Sequence, residues 1–452
     1  MRRILASVIL LITTFVIVAA TARADSSTPA TSLASSTPPA TVPTSPSSSF
    51  SLLDPSTWKM PRYDWSSFKI QDPNSWPFIP VPEVATDPNG GVTYGVLPVW
   101  LFTDDKSEIT SILAPDINSN STLGPGGNFR YLAYPSSDTN WYAEAGAQET
   151  IARNVDIDYQ TGRDHKNWFS FEGRFFFEKD PTERFYGPGN DSHFGNQTNY
   201  TTEQVYGEGI FGLNFSKKWQ LSLMERPRWV RIHDGGFTSL PSIFQLFPNQ
   251  KGVNGGSEVL QQLMIQYDSR DSVDIPRSGT LGRLYYGNAD RRFGSSVSYN
   301  RFGGELRQYI TVGERITFAG HIFNEYEPAG NEMPFWSQAR LGGDESLLTD
   351  QETLRGYGAG RYIDNNLFVM NVEMRTRVWD KNVLGTHGIL ELAPFAEAGR
   401  VGHEMGYNPF SDLHPVGGIG IRGIAEPFVV GFVDIGWGGE GAAVFSGINY
   451  PF

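Results

Sequence analysis

The chain has 452 residues, 39% hydrophobic and 13% aromatic, with 49 glycines, no cysteine and a formal net charge of −13. The acidic balance excludes the clustered Lys and Arg that nucleic-acid phosphate requires, so no nucleic-acid partner is expected. The absence of cysteine excludes a disulfide framework.

Residues 1–24 read as a cleavable secretory signal peptide. Arg2 and Arg3 make a positive start, Ile4–Ala20 is nearly continuous apolar sequence, and Ala22-Arg23-Ala24 is a small-x-small cleavage site. The same run is about long enough to anchor a chain in a bilayer; its position and its Ala-x-Ala ending favour cleavage. Removing it takes away three arginines and no acid, which moves the formal net charge from −13 to −16.

Residues 25–49 are almost entirely Ser, Thr, Pro and Ala. Such a segment buries too little apolar surface to offset its ordering entropy and reads as a disordered tether. In residues 50–91 Pro and Trp alternate, and DPSTW at Asp54–Trp58 recurs as DPNSW at Asp72–Trp76. Prolines disfavour helix and central strand. The segment reads as an extended arm whose aromatics dock elsewhere, or as a linker with incidental tryptophans.

From Val92 to Phe452 the pattern is two-residue alternation. Phe169, Phe171, Phe175 and Phe177 alternate with Ser170, Glu172 and Arg174. Met370, Val372 and Met374 alternate with Asn371, Glu373 and Arg375. Period two means strands with one apolar and one polar face. A water-soluble sandwich would alternate too. Here the polar face carries charge in the middle of strands of about nine residues, the length that crosses a bilayer when tilted. After residue 24 the longest apolar run is only Gly95–Phe102, too short for a spanning helix. The expected fold is therefore all-β: a transmembrane antiparallel β-barrel over residues 92–452, in contact with outer-membrane lipid.

Several chemical motifs are absent or weak. GEGIFG at Gly207–Gly212 and GIGIRG at Gly418–Gly423 fit GxGxxG formally, but neither follows a buried strand and opens a helix. No GxSxG occurs, and the seven histidines show no metal-ligand spacing. Neither enzymatic activity nor a cofactor is expected.

One ordered set of blocks carries more. FYGPGN begins at Phe185 and YDSRDSVDIPRSG at Tyr267. LGGDESLLTDQETLRGYGAGRYIDNN runs from Leu341, followed by NVEMR at Asn371, PFAEAGRV at Pro394, GIGIRG at Gly418 and Val433-Asp434. This order resembles the bacterial surface antigen superfamily, which includes BamA/TamA-type outer-membrane assembly factors and two-partner secretion transporters. The resemblance implies a sixteen-stranded barrel with an inward-folded loop, exported to the bacterial outer membrane. It implies that Arg355, with Gly356 and Tyr357, forms a lumen latch meeting Glu373 and Glu397 on the inner wall; the family usually carries Asp at the Glu397 position.

Glycine-x-x-aromatic-x-aromatic at Gly447, Tyr450 and Phe452 is similar to the last strand that the outer-membrane assembly machinery reads. Residues 25–91 are too short and proline-rich for a POTRA module plus linker, so the chain reads as a POTRA-less branch. The implied function is insertion, assembly or translocation of polypeptide clients. A passive pore or structural barrel is the alternative.

Overall fold

The computed structural model describes residues 79–103, 109–136, 138–237, 239–328, 333–344, 351–383, 386–404, 408–425, 429–448 and 450–452. The expected signal peptide, the tether and most of the Pro/Trp arm lie outside them. In chain order the strands are β1 (Ile79–Asp87), β2 (Gly91–Thr103), β3 (Ile109–Leu113), β4 (Ile117–Asn120), β5 (Gly124–Ser136), β6 (Thr139–Gln148), β7 (Arg153–Thr161) and β8 (Phe169–Phe185). There follow β9 (Thr198–Asn214), β10 (Trp219–Asp234), β11 (Gly256–Asp268), β12 (Gly279–Ala289), β13 (Tyr299–Val312) and β14 (Ile316–Tyr326). The remainder are β15 (Ala339–Leu341), β16 (Gln351–Glu352), β17 (Tyr362–Asp364), β18 (Asn366–Val383), β19 (Thr386–Gly402), β20 (His414–Ala425), β21 (Val429–Gly438) and β22 (Gly441–Ile448).

Among the described residues nineteen strands form one antiparallel sheet, and β15, β16 and β17 make a small separate sheet between β14 and β18. The large sheet curls until β1 lies beside β22, although no hydrogen-bonded register joins those two among the described residues. This is a β-barrel with a seam.

Its strand count departs from the sixteen expected. Among the described residues pairing is already present at Ile79 rather than starting near Val92, so β1 is drawn from the segment read as an extended arm. β3 and β4 each pair with both β2 and β5, as two halves of one stave broken at Ala114-Pro115-Asp116. The prolines of β1 are tolerated because it is a terminal strand. Pro80 stands opposite Pro98; neither can donate, so this must be a non-hydrogen-bonded pair. The backbone nitrogens of Pro80 and Pro82 then face away from β2, toward β22. The edge of β1 at the seam thus lacks two donors.

Alternation decides the two faces. On β18, Asn371, Glu373 and Arg375 are 0%, 3% and 1% exposed, whereas Val372 and Met374 are 56% and 37% exposed. The outward residues continue across strands: Ile310 pairs with Phe318 and Phe318 with Met374, while Leu306 pairs with Ile322. With Leu223, Leu263 and Leu284 they form an exposed apolar band, far larger than a surface in water carries. It is the lipid-facing band of a barrel whose charges point inward.

Candidate functional site

The lumen is not a bare channel. After Gly342 and Gly343 (φ +129° and +91°), the segment between β14 and β18 turns inward. Its Leu341, Leu354, Tyr357 and Tyr362 pack against Phe323, Val369, Phe395 and Val416 of the wall. Removing these apolar side chains from water holds the loop inside.

At its centre is Arg355, fully buried. Its backbone N–H donates to Glu397 Oε2 at 2.6 Å and its Nε to Glu397 Oε1 at 2.8 Å. Nη1 donates to Glu373 Oε1 at 2.8 Å and to Asp434. The guanidinium also lies 3.6 Å from the centroid of the Phe395 ring. Arg422 joins from β20, donating to Glu373 Oε1 at 2.8 Å and to Asp434 Oδ2 at 3.3 Å. Arg375 donates to Glu373 Oε2 at 2.8 Å.

Three arginines and three carboxylates are therefore buried together, with charges that balance. The fork spreads over three carboxylates, the expected Glu373 and Glu397 together with Asp434, and Glu397 divides its oxygens between the main chain and the side chain of Arg355. Burial alone would lower the Arg355 pKa, but the Glu397, Asp434 and Glu373 carboxylates outweigh it and raise it. The arginine stays charged, and losing it would leave buried carboxylates without their partner.

The residues after Arg355 reach both sides of the seam. The Tyr357 hydroxyl accepts from Gly439 N at 2.9 Å, and Arg361 Nε donates to Glu440 Oε1 at 2.6 Å, both in the β21–β22 turn. On the other side, Asn89 Nδ2, in the β1–β2 turn, donates to Ala359 O at 2.8 Å. Arg361 is further held by Ser192, through Nη1 to Oγ at 2.9 Å and Nη2 to the carbonyl at 2.8 Å.

The glycines serve different needs. Only Gly360 of the three has positive φ, +60°. At Gly356 a Cβ would stand 2.6 Å from Gly438 N and 2.7 Å from Val416 Cγ2, and at Gly358 2.6 Å from Asn89 Oδ1. Those two positions are glycine so that the backbone can touch the wall and the β1–β2 turn.

Residues 138–422 match the Omp85 superfamily domain. The chain belongs to the Omp85 superfamily. That match spans the blocks from Phe185 to Arg422 on which the resemblance rested, and membership makes this chain an outer-membrane barrel of the protein-insertion and translocation kind. Among solved structures, BamA from Haemophilus ducreyi lacking POTRA domains 1–3 is similar over 82% of this chain and 74% of its own, at 13% identity and a TM-score of 0.48. CdiB from Escherichia coli is similar over 83% and 67%, at 12% identity and TM-score 0.49. CdiB from Acinetobacter baumannii is similar over 82% and 59%, at 10% identity and TM-score 0.42. No curated protein sequence matches.

In this Omp85 barrel Arg355, Glu373 and Glu397 meet, and Gly356 and Tyr357 lie against β21 and the turn after it. Gly447 sits on β22 opposite Phe432. Tyr450 and Phe452 do not continue that strand: β22 ends at Ile448, and both side chains contact the inner wall instead. Asp434 and Arg422 complete the ion cluster, and Arg361 ties the loop to Glu440 in the β21–β22 turn and to Ser192 between β8 and β9. These three lie within or beside the quoted motifs, but nothing in local spacing shows that they converge.

Proposed function

We propose that this barrel inserts or translocates polypeptide at the outer membrane by parting at the β1–β22 seam, and that the Arg355 loop is the latch that keeps the seam shut at rest. One observation carries the reading: residues 357–361 bond to the turns on both sides of the seam, through Asn89 on one side and Gly439 and Glu440 on the other. The Arg355 cluster fixes the loop to the wall while they do so. The donor-poor edge of β1 makes this the contact of the barrel that separates at the lowest cost in backbone hydrogen bonds. No nucleotide is needed, since the client's folding and its burial in the bilayer supply the driving force.

Comparing the outer-membrane proteome with and without this protein tests the reading. Loss of the protein lowers the levels of other outer-membrane proteins. An unchanged proteome combined with steady ion conductance would favour a passive pore instead. What supports that second reading is a charged cavity of about 380 Å³ in the lumen, lined by Glu172, Arg174, Glu208, Arg226 and Arg283 among others.

A further inference from the structure

The lumen cavity of about 380 Å³ reaches the β7–β8 turn through Gly162 and Arg163 and the β11–β12 turn through Arg270 and Val273. Hairpin turns alternate ends along the sheet, with β3 and β4 counted as one stave. These two therefore lie at the opposite end from the β1–β2 and β21–β22 turns that the Arg355 loop holds.

The charges on the lining are unevenly satisfied. Each arginine is paired with a carboxylate other than Glu172: Arg163 with Asp274 at 2.6 Å, Arg174 with Asp156 at 2.7 Å, Arg226 with Glu258 at 3.6 Å, Arg270 with Asp268 at 2.7 Å and Arg283 with Glu305 at 3.3 Å. Glu172 on β8 lines the same cavity, yet it makes no hydrogen bond and no ion pair among the described residues. Arg283 and Arg174 are near enough to attract it, Asp158 and Glu208 near enough to repel it. Asp158 on β7 makes no hydrogen bond or ion pair among the described residues either. A carboxylate withdrawn from bulk water without a partner is costly. The open charge of the cavity is thus negative, and its missing occupant is a cation.

We propose that this cavity is a binding site for an alkylammonium group, with Glu172 taking the charge. Gln160 stands opposite Glu172 in the β7–β8 register, and its side chain makes no hydrogen bond among the described residues; its amide oxygen is a second acceptor for the three N–H donors of an ammonium. Ile210, Met224 and Met264 give the cavity an apolar wall, along which an aliphatic stem lies while its charged head meets the carboxylate. A divalent metal fits less well, since no group of three or more His, Asp or Glu among the described residues is placed to hold one. The ammonium comes either from a free polyamine or from a lysine side chain of a polypeptide. The site stands whether the barrel moves polypeptide or conducts passively.

The test is isothermal titration calorimetry on the full chain folded in detergent, with spermidine and Nα-acetyl-lysine amide as separate titrants. Amine binds, and Glu172→Gln weakens it about tenfold or more, as loss of a charge-assisted contact requires. Asp290→Asn, in the β12–β13 turn, leaves binding unchanged. Spermidine binding more tightly than the lysine derivative assigns the site to free polyamines; the reverse order assigns it to polypeptide. No binding of either titrant, parent-like binding by Glu172→Gln, or an equal loss in Asp290→Asn would overturn the proposal. Glu172→Gln gives up no bond and melts no lower than the parent; a lower melting point would show a structural partner and also overturn it. Ile210→Lys gives an independent reading, because Ile210 stands opposite Glu172 in the β8–β9 register and the lysine supplies the ammonium from within. That variant melts higher than the parent and no longer binds spermidine. A variant that melts lower, or still binds, would contradict the assignment.

Discussion

At the scale of single residues, the stability of the lumen rests on a buried charge cluster whose worth lies in its completeness. Exposed ion pairs contribute only about 0–1 kcal/mol. With Arg355, Glu373, Glu397 and Asp434 all inaccessible to water, removing one partner costs roughly 3–5 kcal/mol. Arg355→Ala is therefore expected to lower the heat resistance of the folded barrel on semi-native gels and to raise conductance. Arg355→Lys, which keeps the charge but cannot reach three carboxylates at once, should fall between. A parent-like Arg355→Ala barrel would remove the latch. Gly356→Ala tests the close approach independently, since it adds one methyl where Gly438 and Val416 leave no space. It should destabilise by about 1–3 kcal/mol in a melting experiment.

Elements add a second layer, because the loop acts through the two hairpin turns it holds and the seam through the edge of one strand. β1 carries Pro80 and Pro82 where a strand facing a partner would carry donors. Replacing both with valine restores two N–H groups on the edge facing β22. Hydrogen bonding across the seam then strengthens, heat resistance rises, and any activity that requires parting falls. Unchanged melting in the double variant would show that the seam is not limited by donors. Pro227 shows the same rule inside the sheet. The β10–β9 ladder runs from Gln220 to Glu225 and resumes at Arg228, skipping Pro227, while the ladder to β11 continues through it.

For the whole molecule, the features legible in the sequence are those encoded over short range. The alternation of Met370–Arg375 declares which face is wet, because in a strand period two is set by adjacent residues. The Arg355–Glu373–Glu397 meeting was readable only through the ordered motif blocks, since 42 residues of chain separate Arg355 from Glu397. What escaped depends on closure. Asp434 and Arg422 gain meaning only when β20 and β21 are brought round to the loop, and Asn89 only when β1 is brought round to β22. The strand character of Ile79–Asp87 was hidden by its prolines, which break a central strand but suit one with a free edge. The destination of Phe452 was hidden because a terminal aromatic suits a last strand equally well. The outcome is a barrel whose lumen holds the Arg355 loop and the side chains of Tyr450 and Phe452.

The chain has no cysteine, so spin labels can be placed cleanly on either side of the seam. Tyr94 on β2 and Trp437 on β21 are both exposed on the outer face and suit replacement by cysteine. The distance distribution between these labels, measured by pulsed electron spin resonance in the parent and in Arg355→Ala, reads directly whether the loop holds the seam. A single narrow distribution in the parent that broadens to longer distances in Arg355→Ala is expected. Identical narrow distributions in the two proteins would contradict it.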